Sequence, residues 1–350
     1  MSNQAIHIYV NMPEHQPNYN TITDALHAFS QQEAAETDAA KSFPAPVSSL
    51  PQLIVHIGEG VYREKLVITR PNTTFLGENQ ENTILVYGQG AFELMPEGDK
   101  RGTFRTASVR IDTHDFTARN LTFQNDAGFG HTVGQALALY VDGDRNIFES
   151  CSFLGSQDTL FTAPLPIKEA QPGGFKGPGE FAPRTKGRHF YKNCFIRGDV
   201  DFIFGGAIAY FLDCTIFSQK PGDRIPPESP EEEVILGYVT AASTPQEEPF
   251  GYVFQDCHLI SDCPPKSVYL GRPWREWAKT VFIHCELGEH IHPVGWLDWG
   301  KPHGHFYYGE YNSYGPGAAP EKRAAFSHQL TEEEVKKYTI ENVLQGWMPI

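Results

Sequence analysis

Two aspartates occupy the same place in a phrase that recurs along the chain. Asp158 lies seven residues after Cys151, and Asp201 lies seven residues after Cys194. If those stretches stack as neighbouring strands, the two carboxylates stand one above the other, about 5 Å apart at strand spacing. Carboxylates that close cannot both ionise freely, so one pKa should rise while the other stays low. The pair would then supply a proton donor and an anionic nucleophile from one residue type. Aspartates in loops are more often solvated turn residues, but Asp201 sits in Asp199-Val-Asp201-Phe-Ile-Phe-Gly205, an apolar setting that argues against it. Other chemistries lack their signatures. There is no GxSxG nucleophile elbow and no CxxC pair. His303-Gly-His305 and His290-Ile-His292 have no evident third ligand, so loop polarity explains them better. Neither a metal nor an organic cofactor is expected.

What must position the aspartates is the phrase itself: an apolar pair, a polar pair, then an apolar or Cys position followed by strand formers. Its marked positions are Leu121, Cys151, Cys194, Cys214, Cys257 and Cys285, at intervals of 30, 43, 20, 43 and 28 residues. A period of roughly 20–30 residues with inserted loops describes coils of a parallel β-solenoid. The two long intervals contain Gly/Pro-rich insertions at about 163–187 and 219–234. Five of the six cysteines then form a ladder of small apolar fillers inside the solenoid. Cys194 and Cys214, on adjacent coils, could approach closely enough for one disulfide, and no other bridge is expected. A solenoid must cover its ends. Ile22, Ala25, Leu26 and Phe29 recur at helical spacing after a Thr21/Asp24 capping pair, followed by a loop at about 30–51 before the first clear strand, Leu53–Ile57. Thr331 and Glu334 form a second capping box, opening a helix at about 331–339 with Lys336 and Lys337 on its C-terminal side. No linker divides residues 1–350, which are read as one all-β domain with two cap helices.

These segments resemble the pectin methylesterase family. The resemblance is carried by Gly102-Thr-Phe-Arg-Thr-Ala, Gly134-Gln135-Ala-Leu, Gly155-Ser-Gln157-Asp158-Thr-Leu-Phe, Asp201-Phe-Ile-Phe-Gly, Tyr269-Leu-Gly-Arg272-Pro-Trp274 and Gly295-Trp-Leu-Asp-Trp, with Gly60-Val-Tyr-Arg-Glu before them and Tyr338-Thr-Ile-Glu-Asn-Val after. It covers nearly the whole chain outside the loops and implies a single-stranded right-handed parallel β-helix. It also implies hydrolysis of the methyl esters of pectin, with methylated homogalacturonan, polymer or oligomer, as substrate. By the same resemblance Asp201 is the nucleophile and Asp158 the general acid and then base. Gln135 and Gln157 are the oxyanion donors, and Arg272 orients Asp201. Trp274 is the aromatic floor under a sugar ring, and Phe161, Val200 and Phe204 would line the cleft or equally belong to the core.

Rival readings on the same architecture are a pectate lyase, a polygalacturonase and an acyl-thioesterase. An inverting glycosidase would want its carboxylates ~6.5–9.5 Å apart, and a calcium-dependent lyase a cluster of acidic ligands. The net charge of −15 argues against nucleic acid and anionic membrane partners. It either favours uncharged, methylated substrate over free carboxylates or reflects solubility alone. A monomer is expected. The N-terminus shows no secretory signal, which places the protein in the cytoplasm if that start is native and outside it, extracellular or periplasmic, if a leader was removed. The 163–187 insertion carries Lys168, Lys176, Arg184 and Lys186 and should lie beside Asp158, where it could meet substrate carboxylates.

Overall fold

The recurring phrase is a corner. The residue just before each ladder position, Asn120, Ser150, Asn193, Asp213, Asp256 or His284, has φ between 52° and 55°, in the left-handed region. Short polar side chains enter that region at the least steric cost. The turn they make ends one strand and starts the next: Asn146–Glu149 gives way to Ser152–Leu154 across Ser150 and Cys151. The ladder residues point inward at these corners, each at most 2% exposed.

The computed structural model describes residues 5–40, 50–222 and 234–350, with the side chains of 35–40 excepted. Its strands form three parallel sheets of twelve, eight and seven strands, to which successive coils contribute in turn. One such coil runs Arg188–Lys192, Phe195–Gly198, Val200–Gly205. In-register pairing stacks like side chains on like. Phe148, Tyr191, Phe211, Phe254 and Phe282 occupy paired positions of the first sheet. Their rings stack at 5.0, 4.6, 4.4 and 4.5 Å with planes no more than 10° apart. One continuous buried cluster runs through the coils from Ile8 to Tyr308. The result is a parallel β-helix.

All six cysteines are buried and free, so the Cys194–Cys214 bridge that adjacency permitted does not form. Burial pushes the Cys151 thiol up to about 12, and thiols in such surroundings are inert fillers.

The ends depart from the sequence expectation in instructive ways. A strand at Ile6–Val10 precedes Leu53–Ile57 and pairs with it, and a short strand Asn18–Tyr19 pairs on its other side, so the solenoid begins two strands earlier than expected. The first helix runs Ile22–Ala40, ten residues into the expected loop, because the Ala-rich stretch after Ser30 contains no breaker. Residues 41–49 of that loop lie outside the described residues. Thr21 caps the Asp24 amide at 3.0 Å, but Glu64 from a neighbouring coil, not Asp24, closes the amides of Ile22 and Thr23 at 3.0 and 2.8 Å. At the other end the Thr331/Glu334 capping box forms. The expected 331–339 helix is instead two single turns, Glu332–Val335 and Ile340–Val343. Val343 and Leu344 pack with Phe190, Tyr210 and Val253 against the outer face of the first sheet. Phe326, with Ala318 and Ala324, packs on the main core instead.

Candidate active site

The seven-stranded sheet carries the chemistry. Asp158 stands just before its strand Leu160–Thr162 and Asp201 in the neighbouring strand Val200–Gly205. The Asp158 amide donates to the Val200 carbonyl at 3.0 Å, so the two residues are locked on adjacent coils as the shared offset required. Both have left-handed backbones, φ 62° and 51°. The pairing of Val200–Gly205 with Gly237–Ala242 slips in register between Val200 and Ile203. A bulge of this kind re-aims a side chain, here that of Asp201. Both carboxylates are 8% exposed.

Arg272 follows directly on the strand Val268–Gly271. Its Nε and Nη2 donate to Oδ1 and Oδ2 of Asp201 at 2.8 and 2.7 Å, a two-pronged bond. The guanidinium lies between the rings of Tyr238 and Trp299, each 3.8 Å from its carbon. Charge and plane are thereby fixed together. Burial, then the Asp201 charge, push Asp158 well above the ordinary carboxylate range, with Arg272 opposing. Burial also raises Asp201, against the hydrogen bonds and charge of Arg272. The expectation that one carboxylate would stay low is therefore corrected: both rise, and the arginine makes the difference between them. Of the two, Asp158 is pushed the further.

That arrangement has a consequence for stability. The folded-state pKa of Asp158 lies above its unfolded value, so its contribution is fully present below the unfolded value and is lost as pH rises through the raised one. Asp158→Asn removes the loss. Its Tm should exceed that of the unsubstituted protein by several degrees at about pH 8, with the gap closing towards about pH 4. Equal melting temperatures at both pH values in calorimetry would show that Asp158 is not held protonated.

A cleft of about 340 Å³ opens over the pair, lined by Gln135, Gln157, Asp158, Asp201, Arg272 and Trp274. Gln135 and Gln157 come from adjacent coils, joined where the Ala136 amide donates to the Gln157 carbonyl at 3.1 Å. Gln157 can sit where it does because residue 130 is glycine: a Cβ there would come within 2.5 Å of its Oε1. Phe204 lines the cleft with Trp274, their ring centres 5.6 Å apart. Phe161 does not. It is fully buried beneath, 4.9 Å from Phe204 and 5.0 Å from Phe104, as part of the floor's support. Val200 faces a hollow beside His131 and Leu236 that adjoins the cleft at Gln157 and Arg272.

Sequence reasoning passed over four residues: Phe104, Phe175, Trp299 and Tyr238. The first three line the cleft, and Tyr238 clamps Arg272. Phe104 and Trp299 lie within motifs already singled out, and a lone aromatic in each was the available signal. Phe175 comes from the 163–187 insertion, which does reach the cleft but not with its cations. Arg184 donates to the carbonyls of Gly179, Ala182 and Glu180 at 2.7, 2.7 and 2.9 Å, and Lys176 pairs with Asp99 at 2.8 Å. The idea that these cations meet substrate gives way to a structural role for both. Residues 223–233 of the other insertion lie outside the described residues. His303 bonds Asp298 at 2.9 Å and His305 stacks on Trp277 at 4.6 Å, so the histidines of that pair have separate partners.

A pectinesterase family model matches residues 13–165 and 184–347. Among curated proteins the chain is 32% identical over 310 residues to pectinesterase QRT1 of Arabidopsis thaliana, covering 86% of this chain and 72% of that one. It is 32% identical over 348 residues to the probable pectinesterase/pectinesterase inhibitor 23 of the same plant, covering 95% of this chain. The chain spans 51% of the length of that relative and 65% of the length of the probable pectinesterase 8 of the same plant, to which it is 32% identical over 290 residues. Among solved structures it superposes on the pectin methylesterase PemA from Erwinia chrysanthemi with a TM-score of 0.75 at 28% identity, covering 98% of both chains. The pectin methylesterase from carrot gives a TM-score of 0.74 at 28% identity, over 97% of this chain and 93% of that one. A pectin methylesterase solved in complex with a hexasaccharide gives 0.75 at 28% identity, over 98% of both chains.

Proposed function

The chain belongs to the pectinesterase family, and from that premise we propose that it hydrolyses the methyl esters of homogalacturonan to free carboxylates and methanol. The observation that carries the mechanism is the asymmetry of two buried carboxylates, with Arg272 forked onto one only. Asp201, kept anionic by that fork, attacks the ester carbonyl carbon. Negative charge collects on the carbonyl oxygen, and the side-chain amides of Gln135 and Gln157 donate to it. As the tetrahedral species collapses, the bond to the methoxy oxygen breaks and Asp158 gives up its proton, so methanol leaves neutral. An anhydride between Asp201 and the sugar C6 remains. Asp158, now ionised, takes a proton from water, whose oxygen adds to the anhydride. Asp201 is released as carboxylate, the product acid forms, and Asp158 is protonated again. Trp274, backed by the buried ring of Phe204, offers a face on which a sugar can pack while its ester enters the cleft. The hexasaccharide held by a similar pectin methylesterase supports a sugar chain as ligand.

Incubation with highly methylated pectin is the test. Methanol and one proton should appear in equal amounts while the sugar chain stays whole. A lyase would generate ultraviolet absorbance from an unsaturated uronate, and a glycosidase would generate reducing ends. Chain cleavage without methanol would overturn the proposal and leave the fold untouched.

A further inference from the structure

The catalytic cleft does not end at Trp274. Trp274 and Arg275 line it on one side and, on the other, a trough of about 770 Å³. Gln246 and Trp277 line that trough and also a groove of about 990 Å³ that runs along the first sheet to the C-terminal turns. The three hollows therefore adjoin one another, from the cleft round the side of the solenoid. The far groove has no counterpart to the paired aspartates. Its walls are aromatic, with Phe250, Trp277, Tyr307 and Phe326 half-buried rather than sealed in the core. Several rings are held by neighbours that line the groove with them: Phe250 by Tyr338 edge-on at 5.5 Å, Tyr307 by His328 stacked at 4.7 Å, Trp277 by His305 stacked at 4.6 Å.

The charge along this path runs against that of the molecule. The chain as a whole has 28 Lys and Arg against 43 Asp and Glu. With Arg184 held by its own loop's carbonyls, the trough and groove still have five cations, Lys168, Arg275, Lys301, Lys279 and Lys337, against four glutamates. A protein of net charge −15 repels a polyuronate over most of its surface. Along this path a de-esterified stretch leaving the cleft would meet a locally cationic, ring-lined surface. Ring faces take the apolar side of a pyranose, and nearby cations take its carboxylate, so the path matches an acidic sugar chain on both counts.

We propose that this groove is a second binding site for de-esterified oligogalacturonate, holding the product segment of a chain whose methylated part occupies the cleft. The proposal rests on the esterase reading for its source of acidic sugar. It assigns Trp277 as the central platform and Lys337 as a rim cation. Neither residue takes part in the chemistry at Asp201.

The test uses de-esterified galacturonate dodecamer, titrated calorimetrically into full-length protein carrying Asp201→Asn, so that the cleft cannot turn over. Adding Trp277→Ala should weaken binding about tenfold, and adding Lys337→Glu about threefold, an effect that disappears at high salt. Lys337 is exposed, so its variant keeps the test decisive even if Trp277→Ala melts early. In the active background, both variants should raise KM on long, partly de-esterified pectin and leave kcat/KM on a short methylated trimer unchanged. Dodecamer affinity equal to that of the parent in both variants would overturn the groove. So would complete displacement of the dodecamer by the methylated trimer, which would place all binding in the cleft. If no methanol is released by the active protein yet dodecamer binding falls in both variants, the groove stands and the esterase reading fails. If methanol is released and the variants bind as the parent does, the groove alone fails.

Discussion

Asp201→Asn should lower turnover of methylated pectin by roughly 10³-fold or more, since an amide cannot form the anhydride. The fold should survive. The Asn Oδ1 can still accept from one prong of Arg272, and the strand keeps its own backbone pairing on both sides. The measurement is methanol release at saturating substrate beside a far-ultraviolet melt. A folded Asp201→Asn that keeps more than about a tenth of the rate would remove Asp201 from the nucleophile's position and move attention to a water activated by Asp158.

Arg272 acts through Asp201 and is best tested through it. Arg272→Lys keeps the charge and loses the planar fork that lies between Tyr238 and Trp299, so turnover should fall by about 10²-fold. Arg272→Gln loses the charge as well. Burial already raises Asp201, and without the guanidinium to oppose it the carboxyl should rise further. In the pH–rate profile the acidic limb reports the carboxylate that must be ionised and the alkaline limb the one that must be protonated. Arg272→Gln should therefore move the acidic limb to higher pH, whereas a merely structural arginine would lower the rate at every pH alike. An unmoved acidic limb would show that Arg272 does not hold Asp201 ionised.

The stacking of Asp158 on Asp201 was legible because it depends on counting alone. In a solenoid, equal offsets from the ladder mean neighbouring places, and Cys151 and Cys194 marked the count. The facing of side chains beside Asp201 was not legible, for a related reason. The register slip between Val200 and Ile203 breaks the alternation that would have told inside from outside. Val200, at the slip, faces away from the cleft, while Phe204, beyond it, lines the cleft; Phe161, on the adjacent coil, takes the core alternative that its apolar type had left open. The corners were read as polar pairs without their meaning. Only the backbone shows that Asn193 or Asp213 is a left-handed residue chosen for φ. The capping pair at Thr21 was half visible, because its reciprocal member, Glu64, lies on another coil. The same limit applies to the insertion at 163–187. Its charges suggested a substrate contact, but the carbonyls that bind Arg184 arise only once the loop has closed on itself.

The placement of the chemistry along the stack also bears on how the protein comes apart. Coils touch only their neighbours, so a solenoid frays from its ends like a rope, each lost turn exposing the next. Leu160–Thr162 is the middle strand of the seven-stranded sheet, and Val200–Gly205 lies beside it. Coils at either end of the stack can open and close in passing without disturbing the carboxylates or the arginine, whereas the C-terminal turns, packed on Phe190 of the Asp201 coil, are tied to the centre. The catalytic group is in this sense insulated by sacrificial turns. Activity should persist through the early, reversible fraying that proteases and hydrogen exchange detect, and vanish only when the centre gives way.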